Sequence, residues 1–201
     1  MKKLMIYLAL VVVLLAPLSV FAEVTVAATV IGKTIQLSFL ESAQNSSQER
    51  VISLERQRVV LKDKTGLILF QESISTMYTS AKIYNLKKLP SGEYDFFIYD
   101  RIKITQKPFT IAEEKIVMKD DIRIFKPCTL VKNKMATFNL LAFDKVTQIR
   151  ITDDLGKEVY AEIIEDKDTI EKRFDFSKAP EGTYTIITTI QNQTFTEEIS
   201  I

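Results

Sequence analysis

The chain of 201 residues contains no histidine, no tryptophan, one cysteine (Cys128) and only five glycines. Without an imidazole it has no Ser-His-Asp or Cys-His catalytic centre, and a single cysteine is too few for a typical zinc site. The glycines form no phosphate-binding loop of the G-x-G-x-x-G or Walker type. Paired carboxylates remain as one enzymatic class that composition leaves open. We therefore expect a protein that is not an enzyme, with no cofactor, no metal and no catalytic or cofactor-binding residues.

An excess of charge of one sign is also lacking, since 27 Lys and Arg stand against 26 Asp and Glu. This balance predicts no nucleic-acid partner. Hydrophobic residues make up 46% of the chain, which is typical of a globular core. Because Cys128 has no partner in the chain, stability must come from apolar packing and backbone hydrogen bonds. We expect Cys128 to be a small buried side chain, with a reactive thiol or a pairing between chains as alternatives.

Residues 1–22 have the features of a secretory signal peptide. Two lysines precede an apolar run over 4–15, and Val20 and Ala22 supply the small residues that signal peptidase requires. The alternative, a retained membrane anchor, is disfavoured because Pro17 interrupts a run shorter than a bilayer span. We expect an exported protein, periplasmic, outer-surface or secreted, that meets the membrane only transiently through this segment.

An internal duplication follows this segment. Residues 60–111 align with residues 150–201 without a gap when the chain is shifted by 90 positions. The matching residues have backbone or core roles, and include Asp63 with Asp153, Gly66 with Gly156, Pro90 with Pro180, Gly92 with Gly182 and Tyr94 with Tyr184. The sequence therefore predicts two tandem domains, residues 23–112 and 113–201, without a Pro/Gly/Ser-rich linker.

The periodicity within each copy is that of β-strands. Polar and apolar residues alternate over 173–176 and 183–186, and β-branched residues fill 185–190. No amphipathic helix of useful length is present. About seven short strands per copy, separated by turns, predict an all-β protein of two tandem antiparallel β-sandwiches. The first strand of the second domain is predicted over 115–125.

One matched turn has Asp at its first position and Gly at its fourth, over 63–66 and 153–156. This pattern is typical of a type I turn in which the carboxylate caps backbone N–H groups and glycine takes a left-handed conformation. The functional alternative is a calcium site that includes Asp153, Asp154 and Glu158. The loop lacks the regular D-x-D-x-D supply of oxygens, so the structural turn is favoured.

A second matched turn runs over 89–94 and 179–184, where Pro and Gly precede Tyr94 and Tyr184. This pattern resembles the tyrosine corner of immunoglobulin-like sandwiches, in which the hydroxyl bonds back to the backbone. Phe96 stands where antibody domains have a cysteine. The resemblance is therefore to the wider class of immunoglobulin-like or fibronectin-III-like sandwiches, and it implies that fold for both domains.

The second copy read as a whole resembles a known secretion family. Residues 146–153, 156–160 and 174–184 are similar to the C-terminal sorting domain of type IX secretion cargo, and small secreted proteins of Bacteroidetes carry similar β-sandwiches. The first copy resembles it more weakly. The resemblance implies an exported protein whose second domain acts as a sorting domain, present here as two tandem copies.

Three features are candidates for contact with a partner. The polar segment 41–50 replaces the short connection 143–145 of the second copy, although a functionless excursion is the favoured interpretation. Residues 99–101 (Tyr-Asp-Arg) offer an aromatic ring and a cation at the same end. By strand parity Phe97 and Tyr99 face away from the core, which indicates either a partner surface or packing against the neighbouring domain.

These features leave four hypotheses. We favour an exported tandem β-sandwich that acts as an interaction or structural module for an unknown protein or cell-surface partner. The alternative is a cargo or accessory protein of type IX secretion. A strand edge that pairs with a partner strand and a carboxylate-based carbohydrate-active protein are the remaining two.

Overall fold

The computed structural model describes residues 24–41, 56–75, 81–113 and 115–201. The predicted signal peptide (residues 1–22) and nearly all of the predicted loop 41–50 lie outside the described residues. Within the described ranges every regular element is a β-strand. None of these residues forms a helix with the length and apolar character that a membrane crossing requires.

The first half forms two antiparallel sheets. Strands β1, β2 and β5 make one sheet, and the larger sheet has the order β4-β3-β6-β7 with two further short strands, β8 and β9, on β7. The strand bounds are β1 Val24–Ile31, β2 Thr34–Glu41, β3 Arg56–Asp63, β4 Ile68–Ser75, β5 Ala81–Asn85, β6 Gly92–Tyr99, β7 Lys103–Ala112, β8 Lys115–Met118 and β9 Ile122–Phe125.

The second half repeats this arrangement. Strands β10, β11 and β14 make one sheet, and the other has the order β13-β12-β15-β16. The strand bounds are β10 Cys128–Lys132, β11 Met135–Leu141, β12 Thr147–Thr152, β13 Glu158–Ile164, β14 Thr169–Asp175, β15 Thr183–Ile190 and β16 Gln193–Ser200. The predicted fold class, two immunoglobulin-like or fibronectin-III-like sandwiches, is confirmed.

The two halves share their strand register as well as their strand order. Leu61 pairs with Phe96 across β3 and β6, and Ile151 pairs with Ile186 across β12 and β15, so both members are displaced by 90 positions. The ladder between β3 and β4 shifts register after Leu61, and the ladder between β12 and β13 shifts at the matching Ile151. The gapless alignment of the sequence therefore corresponds to the same backbone hydrogen bonding.

Each half buries one face of each of its sheets. In β15 the alternate residues Tyr184, Ile186, Thr188 and Ile190 are buried while their neighbours are partly or fully exposed. Phe96 of the first half and Ile149 of the second have no exposed surface. Each such side chain contributes about 1.5–3 kcal/mol by leaving water. The core thus lies between the sheets, as the alternation predicts.

The segment 115–125 differs from its prediction. It forms two strands, β8 and β9, and both pair antiparallel with β7 of the first half. The sheet of the first half therefore extends past the boundary predicted at residue 112. The first strand of the second sandwich is β10, a five-residue strand that the sequence did not predict.

The break between β8 and β9 lies opposite Pro108. The Pro108 carbonyl accepts a hydrogen bond from the Lys119 N–H at 2.9 Å. In an antiparallel ladder the N–H and C=O of one residue point toward the same neighbouring strand. Because the Pro108 carbonyl points toward β8, the N–H that proline lacks is missing on the side of β7 that faces β8 and β9. The ladder is consequently interrupted there, and Asp121 in the break pairs with the buried Lys107 ammonium at 2.6 Å.

Both predicted tyrosine corners are present. The Tyr94 hydroxyl donates to the Pro90 carbonyl at 2.9 Å, and the Tyr184 hydroxyl donates to the Pro180 carbonyl at 3.0 Å. Both rings are buried. Each hydroxyl thus ties the turn before a central strand to the strand that follows it.

We expect Tyr184→Phe to lower the free energy of unfolding by about 1 kcal/mol, because it removes one intramolecular hydrogen bond and leaves the packing intact. Urea denaturation measures the change. Tyr99→Phe is the matched control, since within the described residues no hydrogen bond of the Tyr99 hydroxyl is seen, and it should leave the midpoint unchanged. Equal effects of the two substitutions would contradict a stabilising role for the corner.

Candidate functional site

The outer face of the larger sheet of the first half contacts the second half. Phe97 of β6 is only 8% exposed. It belongs to one continuous cluster with Val60, Ile104, Ile124 and the buried core of the second half. Of the two interpretations of Phe97, packing against the neighbouring domain is therefore the one that the structure supports. Tyr99 is partly buried against the same cluster.

A groove of about 450 Å³ opens where the two halves meet. Its first-half wall comes from the Asp63 turn and the outer face of β6, β7 and β9, and its second-half wall is the turn between β15 and β16. The lining residues are Lys62, Asp63, Lys64, Gly66, Asp95, Phe97, Gln106, Ile122, Ile124, Gln191, Asn192 and Gln193.

Four of the eight polar side chains of the groove are amides, and the other four are two lysines and two aspartates. The Gln106 side-chain amide donates to the Asp95 carboxylate at 2.9 Å. The Lys62 ammonium lies 4.8 Å from the centre of the Phe97 ring, which it covers as a cation–π contact. Gln191, Asn192 and Gln193 supply further donors and acceptors from the opposite wall. This chemistry suits hydrogen bonding to a polar surface.

The Asp63 turn at the rim has the predicted geometry. The Asp63 carboxylate accepts hydrogen bonds from the Thr65 N–H at 2.8 Å, the Thr65 hydroxyl at 2.6 Å and the Leu67 N–H at 3.1 Å. The Thr65 hydroxyl, followed by the backbone N–H groups, holds the pKa of this carboxyl below its ordinary value. Gly66 closes the turn at a φ of +87°.

The matching Asp153 turn is built in the same way. The Asp153 carboxylate accepts from the Leu155 N–H at 3.0 Å and the Lys157 N–H at 2.9 Å, and Gly156 has a φ of +77°. Glu158, the third residue of the alternative calcium set, pairs with Arg150 at 3.2 Å. The capping role predicted for both Asp residues is confirmed. No group of three or more His, Cys, Asp or Glu side chains suited to a metal ion occurs in the described part of the chain.

Residues 99–101 are engaged within the protein. The Arg58 guanidinium carbon lies 4.2 Å from the centre of the Tyr99 ring, so one ring face is already covered. The Asp100 carboxylate caps the N–H groups of Ile102 and Lys103 at 2.8 and 2.7 Å. Burial raises the pKa of Tyr99. The contacts of Tyr99 and Asp100 within the protein therefore give this segment a structural role as a turn.

Cys128 is exposed, which corrects the expectation of a buried side chain. It begins β10, an edge strand in which Cys128, Leu130 and Lys132 all face outward. Lys126, which precedes it, donates to the Asp100 carbonyl, and burial lowers the pKa of this lysine. The lysine thus ties the start of the second sandwich to the first.

The groove residues Gln106 and 191–193 carried no signal in the sequence. Their side chains are ordinary polar residues of strands and a hairpin turn, and they meet only because the halves dock. The segment 41–50 begins at the end of β2 and otherwise lies outside the described residues, so its role stays a prediction.

Comparison with known proteins gives a family match for part of the chain. Residues 133–201 match the model of the secretion system C-terminal sorting domain. This match implies export. A search of curated proteins gives no significant match.

Solved structures similar to the chain include multidomain sandwiches. A two-domain fibronectin type III segment of chicken tenascin has 10% identity and a TM-score of 0.30, and the alignment covers 90% of this chain and 98% of that one. The BSP domain of a biofilm-associated protein has 11% identity and a TM-score of 0.29, covering 88% and 29%. The FN1–FN3 domains of chicken CNTN1 have 10% identity and a TM-score of 0.27, covering 84% and 60%.

We expect Phe97→Ala to weaken the contact between the halves. Removing a buried aromatic side chain lowers the free energy of unfolding by about 3 kcal/mol. Here the lost contacts are those between Phe97 and the core of the second half. The variant should unfold in two separate transitions, where the native chain unfolds in one, as followed by calorimetry. Leu155→Ala, at a side chain that is 88% exposed, is the control and should change nothing. A single unshifted transition for Phe97→Ala would contradict this role.

We expect Asp63→Asn to alter the dependence of stability on pH. The folded-state pKa of Asp63 lies below the ordinary value of 3.8, so the carboxylate stabilises the fold at neutral pH and this contribution is lost as pH falls below 3.8. The variant should be less stable than the native chain at pH 7, and the difference should shrink below pH 3.8. Denaturation midpoints across this range measure it. An identical pH profile for both proteins would contradict the prediction, and Asp120→Asn serves as the exposed control.

Proposed function

We propose that the protein is an exported, non-enzymatic tandem β-sandwich whose second half is a type IX sorting domain and whose first half is the interaction module that it delivers. The single observation that carries this proposal is the match of residues 133–201 to the sorting-domain family. The match covers six of the seven strands of the second sandwich, from β11 to β16. A sandwich of that family accounts for the fold of this half without any catalytic role.

We further propose that the first half is a diverged second copy of the same family. Its strand order equals that of the second half, and its central strands pair in the same register after a shift of 90 positions. The tyrosine corner is retained at Tyr94 with the same acceptor, the carbonyl of the turn proline. Two copies that share a strand order and differ in their surface residues are suited to different functions.

The first half is the better candidate for partner contact at a periplasmic, outer-surface or extracellular location. Its loop 41–50 is the longest sequence difference between the copies, and the groove at the junction presents amides and a cation-covered ring. Amides of this kind are suited to hydrogen bonding with a protein or cell-surface partner, which is a binding role and not a catalytic one.

The sorting role is tested in a bacterium that carries a type IX secretion system. We expect the full chain outside the cell or on its surface, and a chain lacking residues 127–201, which keeps β8 and β9 on the sheet of the first half, inside the envelope. A signal peptide followed by a reporter and residues 127–201 should be exported, because the sorting information lies in that half.

The first half provides the matched control. A fusion of the same reporter to residues 24–126 has the same strand order and the same corner, and it should stay in the periplasm. Export of that fusion, or export of the chain that lacks residues 127–201, would contradict a sorting role for the second half.

A further inference from the structure

The two larger sheets each end in an open edge strand, β4 in the first half and β13 in the second. Among the described residues β4 pairs only with β3, and β13 pairs only with β12. An edge strand presents a row of unpaired N–H and C=O groups that accept a further strand unless charges or bulges block it. The two edges occupy equivalent positions, so their side chains can be compared directly.

The β4 edge lacks the charges that protect the β13 edge. Leu67 and Ile68 stand where the second half has Lys157 and Glu158. Four consecutive apolar side chains are exposed there: Leu67 (62%), Ile68 (51%), Leu69 (39%) and Phe70 (40%). The one charge on β4, Glu72, pairs with Lys82 at 2.9 Å, and the register shift at Leu69 is shared with Val159 of β13. The β4 edge therefore differs from the β13 edge by its exposed apolar start, which favours the addition of a strand.

The surroundings of the two edges carry opposite charge. Beside β4, four cations lie on β3 and its following turn, at Arg56, Arg58, Lys62 and Lys64. The matching positions of the second half are Val146, Gln148, Thr152 and Asp154. Beside β13 the exposed connection 165–168 contains three acids and one lysine.

The same asymmetry holds for the whole halves. Residues 23–126 contain 16 Lys and Arg and 13 Asp and Glu, a net charge of +3. Residues 127–201 contain 9 Lys and Arg and 13 Asp and Glu, a net charge of −4. Pairing β4 with the β4 of another copy brings the cations of both copies together, whereas pairing β4 with β13 of another copy brings opposite charges together.

We propose that the β4 edge of one copy binds the β13 edge of a second copy, so that the chain assembles head to tail through a continuous intermolecular sheet. The contact joins two different surfaces of the same chain, so it leaves a free β4 at one end and a free β13 at the other. Backbone hydrogen bonds supply the pairing, the exposed apolar residues of β4 and Val159 and Ile163 of β13 become covered, and the opposite charges select the partner edge.

The test uses purified residues 23–201 and sedimentation velocity at increasing concentration, up to about 1 mM. We expect species larger than a dimer that grow with concentration and shrink as salt screens the charges. Ile68→Lys/Leu69→Lys should block the β4 edge, and Glu158→Lys/Ile163→Lys should block the β13 edge. Each variant alone should sediment as a monomer.

A mixture of the two blocked variants is the decisive sample, because each retains the edge that the other lacks. A one-to-one heterodimer that grows no further supports the proposal. Continued dimerisation of Glu158→Lys/Ile163→Lys alone, failure of the mixture to pair, or a native chain that is monomeric throughout would overturn it. Leu155→Lys, an apolar-to-lysine change in a turn, controls for added charge, and urea midpoints confirm that each variant is folded. The samples are purified protein, so the outcome is independent of the secretion experiment.

Discussion

The pairing register of the central strands is the constraint on which the rest of the protein depends. Side chains of a strand alternate between two faces, so a slip of one residue between β3 and β6 or between β12 and β15 would turn Phe96 or Ile186 out of its core. Cys128 is the sole cysteine, and no intramolecular disulfide opposes such a slip. The buried alternate residues and the Tyr94 and Tyr184 corners, which fix where β6 and β15 begin, hold the register.

The turns, the corners and the two-sandwich fold were predictable from the sequence, and the contacts between the two halves were not. The Asp63 and Asp153 turns and both tyrosine corners depend on residues a few positions apart, so their pattern is visible in the chain. The segment 115–125 has the composition of a strand, but nothing local shows that β7 is its partner. The same limit applies to the exposed Cys128, since the edge position of β10 follows from sheet order, and to the groove, which exists only after the halves dock.

The two halves use one backbone arrangement and differ in what they place on it. The equivalent edges carry Ile68 in one half and Glu158 in the other, and the residues between the second and third strands are 42–55 in one half and 142–146 in the other. These differences lie outside the buried alternate residues, so the fold of both halves is kept. The edges and connections are therefore where the two halves differ most, while their central strands keep the same pairing.

The path of the chain from one half to the other has a mechanical consequence. Between Ala112 and Cys128 the described residues are held by the ladders of β8 and β9 on β7, by the Lys107–Asp121 pair and by the Lys126 N–H, which donates to the Ile102 carbonyl at 2.8 Å. The described residues between the two sandwiches can therefore lengthen under a pulling force only as these backbone hydrogen bonds break.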